Sequence, residues 1–238
     1  APALIACMRH DIIGEPSLTD WEPYTAAFST LRQILNKKNP GYAEILHPFL
    51  IEQITAGYTE EADQVVSARC LLLIADTVRR FPDIFEDTLA YIYQMLESTQ
   101  SVHVVFFTLI ALAVLLSFSI TCEPYLDHLE LLLSYSTEEI IGNKALDCIN
   151  RIIIKNDFTN FEIYASLHEL LSAVPAQNVY GVLKCFTSAR SIHVPAATAC
   201  EILQLLFTML KETEDSNIAD YICYCIKPIL LRGIPEAG

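Results

Sequence analysis

Glycine is scarce in this sequence, with seven residues in 238. So few glycines argue against an all-β fold built on tight turns, and against the glycine-rich loops that cradle nucleotides. The sequence also lacks a nucleophile elbow, a phosphate-binding loop and a Rossmann fingerprint. We therefore expect a protein that is not an enzyme.

Metal-binding patterns are missing as well. The eight cysteines are scattered through apolar segments, and none of them forms a Cys-x-x-Cys pair. His168-Glu169 begins like a metalloprotease motif, but Ser172 stands where the second histidine would be needed. We predict no metal ion and no cofactor. Scattered cysteines at core positions are typical of a reducing compartment, so we expect a cytoplasmic or nuclear protein.

Basic residues are few. The 15 lysines and arginines are outnumbered by 29 aspartates and glutamates, which gives a formal net charge of −14. A nucleic-acid binder needs clustered lysine and arginine to replace the counterions of phosphate, and the sequence has no such basic stretch. The charge therefore predicts no direct nucleic-acid partner and favours a protein partner with a basic segment. Solubility alone is the alternative reason for the acidity.

The sequence does contain a repeat. Pro40, Pro82 and Pro124 are 42 residues apart. The residues around them recur in the same register, with leucine nine positions before each proline and mostly apolar residues at four other offsets: Leu31, Leu73 and Leu115; Phe28, Cys70 and Leu112; Ala26, Ala68 and Ile110; Tyr42, Ile84 and Leu126; Phe49, Tyr91 and Leu133. Self-similarity at a period of about 20–50 residues indicates a repeat architecture, in which each unit buries its apolar face against its neighbours.

Helical patterns alternate with short breaks along the chain. Pro40 cannot continue the first helix, and Gly57 is suited to end the second. The periodicity predicts about five helix pairs and one final helix, over residues 21–38 and 42–56, 62–80 and 83–96, 101–120 and 124–134, 137–156 and 159–174, 176–189 and 195–211, and 217–231. The connections are short, so we predict a single domain over residues 1–238.

The segment from Ala68 to Leu96, around the turn Phe81-Pro82-Asp83, resembles a HEAT repeat. As in that family, a small residue early in the first helix is followed by a leucine ridge and a turn with proline and an acidic residue. The resemblance implies an all-α fold, a right-handed α-solenoid of about five HEAT-like helix pairs of the HEAT/armadillo type. It assigns residues 1–20 to an N-terminal cap, 21–174 to well-phased repeats, and 175–238 to degenerate repeats and a C-terminal cap.

One segment has the composition of a membrane span. Residues 102–120 contain no formally charged residue, and their length makes them a transmembrane candidate. The segment falls in register with the repeat, because it shares Leu115 and Pro124 with its neighbours, and no lysine or arginine flanks it. We therefore predict a central helix buried inside the repeat stack, with a membrane-associated protein as the alternative.

The charged residues of the turns form two groups, according to whether the turn lies within a helix pair or between two pairs. Turns within pairs carry both signs, as expected where helix C-termini adjoin helix N-termini. Turns between pairs are acidic, with Lys211 the only basic residue near them in the sequence. We predict that this acidic edge contacts a basic partner segment through Glu60, Glu61, Asp63, Glu97, Glu138, Glu139, Glu212, Glu214 and Asp215. Charge at solvated helix N-termini is the alternative explanation.

The HEAT resemblance implies a non-catalytic protein–protein interaction scaffold or adaptor. Such a protein holds a partner segment on its concave or acidic edge surface, within a larger multi-subunit complex. An acidic chain of this kind is also similar to pieces of importin-β-type transport receptors, which implies recognition of basic cargo. A third hypothesis follows from Trp21, with Lys37, Lys38, Arg79 and Arg80 in within-pair turns. This arrangement is similar to tubulin-binding TOG domains and implies microtubule binding.

Overall fold

A computed structural model describes residues 3–7, 26–36, 41–119, 123–155, 162–189 and 196–232 of the protein. Residues 3–7 form a short helical segment. Helices of the remaining ranges are α1 (Ala26–Leu35), α2 (Gly41–Thr55), α3 (Glu61–Thr77), α4 (Phe85–Ser98), α5 (Val102–Phe118), α6 (Glu123–Leu126), α7 (Leu129–Tyr135), α8 (Gly142–Lys155), α9 (Glu162–Ala173), α10 (Val179–Ser188), α11 (Ala196–Glu212) and α12 (Ser216–Arg232). Single 3-10 turns, Pro82–Ile84 and Ala176–Asn178, precede α4 and α10. The predicted all-α fold is confirmed.

The helices belong to two compact units, residues 1–119 and 120–238. We call the first helix of each pair an A helix and the second a B helix. In the first unit the A helices α1, α3 and α5 pack side by side, and the B helices α2 and α4 each pack against the A helix before and the A helix after. In the second unit the A helices α8, α10 and α12 pack side by side, while α7, α9 and α11 each pack against the A helix that follows. Each unit is a stack of helix pairs, and the single domain over residues 1–238 stays a prediction.

The repeat seen in the sequence forms the core of the first unit. Leu31, Leu73 and Leu115 lie on successive A helices, and each has 0% of its surface exposed. The residues three positions earlier are buried as well: Phe28, Cys70 and Leu112. Positions three residues apart lie on one face of a helix, so these two sets form the ridge along which the A helices pack.

The spacing between A helices shortens along the chain. Helices α3, α5, α8, α10 and α12 begin at residues 61, 102, 142, 179 and 216, so the intervals are 41, 40, 37 and 37 residues. A fixed period of 42 residues therefore loses register over the last two intervals. This explains why the sequence pattern loosens toward the C-terminal end although the helix pairs continue.

Helix α5 is buried against α3 and α4, as predicted for this apolar segment. The Phe107 ring on its inner face lies 4.7 Å from the guanidinium carbon of Arg69, a buried arginine of α3. Packing against these two helices accounts for the apolar character of α5. None of the helices in the described ranges combines the length and apolarity that a membrane span requires.

Local sequence signals predict the end of α2 correctly, but they do not predict the break between α6 and α7. Gly57 follows α2 with a φ of 64°, the left-handed conformation that glycine adopts without strain. The single helix predicted over residues 124–134 is wrong, because it is divided into α6 and α7. At the break the backbone closes a tighter turn, in which the N–H of His128 donates to the carbonyl oxygen of Tyr125 at 3.4 Å.

Candidate protein-binding edge

A cavity of about 210 Å³ lies between the helix pairs of the first unit. Its wall is built by the end of α2 and the turn after it, by α3, by the last turns of α4, and by the start of α5. Among the described residues that line the cavity, none carries a charge. The polar groups in the wall include the side chains of Tyr58, Gln64, Ser67, Tyr91 and Gln94. This lining suits an apolar or hydrogen-bonding group better than an isolated ion.

Hydrogen bonds hold one side of the cavity wall in place. The Tyr58 hydroxyl donates to Gln53 Oε1 at 2.9 Å, and Gln64 Nε2 donates to the carbonyl oxygen of Tyr58 at 3.0 Å. Ser67 Oγ donates to the carbonyl oxygen of Gln53 at 3.1 Å. The turn after α2 is thereby tied both to α2 and to α3. A ligand that enters a preformed cavity loses less free energy to the ordering of the protein.

Glu61 connects two successive between-pair turns of the first unit. Its Oε1 accepts hydrogen bonds from Ser101 Oγ at 2.6 Å and from His103 Nδ1 at 3.0 Å. Ser101 is also the N-cap of α5, because its Oγ accepts the N–H of Val104. The hydrogen bond from Ser101, followed by that from His103, lowers the pKa of the Glu61 carboxyl. Glu61 is therefore ionised at neutral pH and contributes to the structure of this edge.

The other predicted acidic residues of the first unit lie at the same end of its helices. Glu60 is the exposed N-cap residue of α3, and Glu97 is exposed in the last turn of α4. Glu97 stands in the chain between Leu96 and Ser98, and Ser98 lines the cavity. Asp63, in the first turn of α3, is half-buried and lines a second cavity of about 300 Å³. The structure thus brings acidic residues to the end of the first unit at which the cavity lies.

In the second unit the helix predicted to begin at Thr137 begins instead at Gly142, so that prediction is wrong. Glu138 and Glu139 are exposed in the turn that precedes α8, and are not part of its first helical turn. The buried amide of Asn178 donates to the carbonyl oxygen of Glu138 at 2.9 Å. This contact with the next helix pair holds the turn, and helix propensity around Thr137 does not reveal it.

The last three predicted residues lie around the connection from α11 to α12. Glu212 ends α11, and Glu214 and Asp215 follow it; all three are exposed. Asp215 Oδ1 accepts the N–H of Asn217 at 2.8 Å, which caps α12. Helix capping, the alternative explanation for the acidic edge, is thus an observed role of Asp215.

The residues that resemble a tubulin-binding surface are only partly described. Trp21, Lys37 and Lys38 lie outside the described residues. Arg80 Nη1 donates to the carbonyl oxygen of Leu35 at 3.0 Å, which ties the end of α3 to the end of α1. Across the described ranges, no three His, Cys, Asp or Glu side chains form a group that could hold a metal ion.

Sequence reasoning did not identify the cavity residues. Tyr58 is brought together with Tyr91 and Gln94, which lie more than 30 residues later in the chain, and no local motif marks these positions. Tyr91 shares its repeat offset with Phe49 and Leu133, but that offset indicates only a position in the helix pair. The packing of α2 and α4 against α3 creates the cavity.

Comparisons with known proteins support the fold. No family model and no curated protein matches the chain. An engineered protein of known structure aligns with a TM-score of 0.62 and 17% identity, over 96% of this chain and 98% of that one. An archaeal HEAT-like repeats protein from Thermococcus onnurineus NA1 aligns with a TM-score of 0.52 and 13% identity, over 87% of this chain and 98% of that one. The likeness shows the fold alone, and the predicted resemblance to HEAT-like repeats is confirmed.

Proposed function

We propose that the protein is a non-catalytic scaffold or adaptor that binds a basic, extended segment of a partner protein at its between-pair edge. The observation that carries this proposal is the cavity of about 210 Å³ at the same end of the first unit as the exposed side chains of Glu60 and Glu97. One side chain of the partner segment enters the cavity. The carboxylates beside it attract the basic groups of the segment.

The inserted side chain is a lysine or arginine, because its aliphatic stem suits the uncharged cavity and its charge suits the carboxylates of Glu60 and Glu97 outside it. Both have a long aliphatic stem that packs against apolar walls such as Ile54 and Met95, while the charged head stays near polar groups or water. Tyr58 and Tyr91 add aromatic rings to the lining, and such rings attract cations. The net charge of −14 assists the encounter, because it raises the local concentration of a basic segment around the protein.

The HEAT-like fold supports a scaffold role in general terms. Stacked helix pairs present equivalent positions in series, and an extended segment can contact several of them. On this proposal the partner is basic cargo or a basic tail, in the manner of an importin-β-like receptor, and the protein acts in the cytoplasm or nucleus. Microtubule binding is not proposed, since no described contact favours it.

The charge of the edge is tested with a matched pair of variants. Glu60→Lys/Glu97→Lys reverses two exposed carboxylates beside the cavity. The control, Glu86→Lys/Asp87→Lys, reverses two exposed carboxylates at the start of α4, the helix whose last turn carries Glu97. The net charge changes equally in both. Fluorescence anisotropy with a labelled peptide of alternating lysine and serine should show at least tenfold weaker binding for the edge variant and less than threefold for the control. Equal losses of affinity would show that only the net charge matters, and would overturn the proposal that the between-pair edge binds the segment.

The cavity is tested without a change of charge. Gln94 is an exposed residue of the lining, so Gln94→Trp should fill the cavity with little effect on folding. We expect weaker binding of an arginine-containing peptide and an unchanged circular dichroism spectrum and melting temperature. Unchanged affinity would remove the cavity from the binding site and leave the carboxylates as the only contact.

A further inference from the structure

The two helix layers of the second unit carry opposite charge. Its A helices α8, α10 and α12 contain six lysines and arginines and two acidic residues. Its B helices α6, α7, α9 and α11 contain one basic and six acidic residues. The chain has only 15 basic residues in total, so this A layer is a distinct concentration of positive charge in an acidic protein.

Three tyrosines form a row across this A layer. The ring centroids of Tyr180, on α10, and Tyr221, on α12, are 4.6 Å apart, and those of Tyr221 and Tyr224 are 6.0 Å apart. The interplanar angles of 63° and 86° are edge-to-face arrangements, which attract because of the ring quadrupoles. Tyr180 is 42% exposed and Tyr224 is 62% exposed. Aromatic rings of this size, left open to water on a helix face, are typical of protein–protein contact surfaces.

Basic groups flank the row of rings. Lys184 lies one turn after Tyr180 on the same face of α10. Its Nζ is 3.8 Å from Asp147 Oδ1, and Asp147 Oδ2 accepts the Nε–H of Arg151 at 2.9 Å. Asp147 therefore draws two basic side chains together between α8 and α10. On α12, Lys227 is exposed one turn after Tyr224, and the exposed Asp220 lies one turn before Tyr224.

We infer that this surface binds an acidic peptide segment of a partner protein. We call it the tyrosine face and define it by Tyr180, Lys184, Tyr221, Tyr224 and Lys227. Carboxylates of the segment pair with the lysines, and its apolar side chains pack on the exposed rings. The tyrosine face lies on α10 and α12, and Tyr180 in the first turn of α10 adjoins the between-pair edge. We expect the tyrosine face to select a partner of the opposite charge.

The charge distribution distinguishes a short acidic peptide from a nucleic acid. Screening at physiological salt acts over about 8 Å, which is less than the diameter of a helix, about 10 Å. A peptide that stays on the A layer is therefore largely shielded from the carboxylates of the B layer. A duplex is a long polyanion that extends beyond the face and meets the field of a chain with net charge −14.

The probe for this inference is a labelled 12-residue peptide of alternating glutamate and leucine, with a lysine–leucine peptide for comparison. Lys184→Glu and Tyr224→Ala alter exposed side chains of the tyrosine face. Lys211→Glu and Phe207→Ala are the matched controls, because they make the same kinds of change at exposed positions on the B helix α11 of the same unit. Affinity is measured by fluorescence anisotropy at low and physiological salt.

The wild-type chain is expected to bind the acidic peptide. Binding should be at least tenfold weaker after Lys184→Glu and at least threefold weaker after Tyr224→Ala. Both controls should stay within twofold of wild type. Hydrogen exchange should show new protection in residues 179–188 and 216–232 when the peptide is bound. Three outcomes would overturn the inference: no binding of the acidic peptide at low salt, equal losses in the controls, or stronger binding of an oligonucleotide than of the peptide.

Discussion

The side-chain amide of Asn178 donates a hydrogen bond of 3.2 Å to the carbonyl oxygen of Ser136, 42 residues earlier in the chain. The same nitrogen donates to the carbonyl oxygen of Glu138 at 2.9 Å, and Asn178 is fully buried. One side chain thereby satisfies backbone acceptors of the preceding between-pair turn. This bond joins two helix pairs of the second unit, where the sequence repeat is weak.

We expect Asn178→Ala to lower the free energy of unfolding by about 1–3 kcal/mol, because the buried carbonyl oxygen of Ser136 and the half-buried one of Glu138 lose their donor. The control is Gln177→Ala, which removes a hydrogen bond of 3.1 Å to the carbonyl oxygen of Glu139 at an exposed position. Water can replace that donor, so the control should cost less than about 0.5 kcal/mol. Denaturant unfolding measures both values. A control as destabilised as Asn178→Ala would show that burial is not the cause.

Gly142 and Gly57 are required for different reasons. A Cβ on Gly142 would lie 2.6 Å from the carbonyl oxygen of Ser136, and would also clash with the side chain of Asn178. At Gly57 nothing lies within 4 Å of such an atom, but φ is +64°. Gly142→Ala should therefore cost about 1–3 kcal/mol through overpacking, and Gly57→Ala about 1–2 kcal/mol through backbone strain.

Asparagine distinguishes the two glycines, because it tolerates the left-handed conformation better than alanine does. Gly57→Asn should be more stable than Gly57→Ala, whereas Gly142→Asn should be less stable than Gly142→Ala. Chemical denaturation of the four variants gives the comparison. The same order at both positions would contradict the assignment of the two mechanisms.

The ion pair between Arg32 and Asp76 predicts acid sensitivity of the first unit. Arg32 Nε is 2.7 Å from Asp76 Oδ2, and Asn36 Nδ2 donates to the same oxygen at 3.1 Å. Burial alone would raise the pKa of Asp76, but the hydrogen bonds from Arg32 and Asn36 outweigh it and lower the pKa. The stabilisation is therefore present above the unfolded pKa of about 4 and is lost as the pH falls through the lower folded pKa.

Asp76→Asn should remove this dependence. We expect the variant to be about 1–3 kcal/mol less stable at pH 7. Between about pH 5 and pH 2.5 it should lose less stability than wild type, because it has no Asp76 carboxylate to take up a proton. Asp87→Asn, at an exposed position on α4, is the control. Parallel stability curves for wild type and Asp76→Asn would contradict the prediction.

His47 predicts a second pH effect, at milder acidity. Its Nε2 lies 2.9 Å from Thr77 Oγ1, and the Thr77 hydroxyl donates to the carbonyl oxygen of Ile74 at 2.7 Å. The hydroxyl hydrogen is thus used, so the Thr77 oxygen accepts and His47 donates from Nε2. Burial lowers the pKa of His47. Because the unfolded chain binds the proton more tightly, stability should fall as the pH drops below about 6.5 toward the folded pKa.

His47→Gln keeps a donor for Thr77 and cannot titrate. Its free energy of unfolding should change less than that of wild type between pH 7.5 and pH 5.5. His128→Gln, at a half-exposed histidine between α6 and α7, is the control. If His128→Gln flattens the curve and His47→Gln does not, the assignment to His47 is wrong.

The reactivity of the cysteine thiols toward an alkylating reagent should follow their exposure. Burial raises the pKa of Cys225 to about 12, and it raises the pKa values of Cys70, Cys148 and Cys185 further. Native protein treated with iodoacetamide at pH 8 should be alkylated at the exposed thiols Cys7, Cys200 and Cys223, and the four buried thiols should react only after unfolding. Peptide mass spectrometry reads each site. Rapid native labelling of Cys148 would contradict the packing of α8.

The acidic edge shows how far sequence reasoning reaches into the site. Alternation of A and B helices is enough to place Glu60 and Glu97 at one end of the first unit, because it follows from the order of helices and turns. The structure adds that Glu61 accepts bonds from Ser101 and His103, and that Asp215 caps α12. Those roles depend on neighbours about 40 residues away or on cap geometry, and charge alone does not predict them.

By itself the sequence determined the helical class, the pairing of helices and the core ridge of Leu31, Leu73 and Leu115. These features depend on local periodicity and on the backbone limits of proline and glycine. Only the tertiary structure decided where α8 begins, where the cavity lies and that three tyrosines form one row. Those features arise when helices from distant parts of the chain pack together, so no short stretch of sequence contains them.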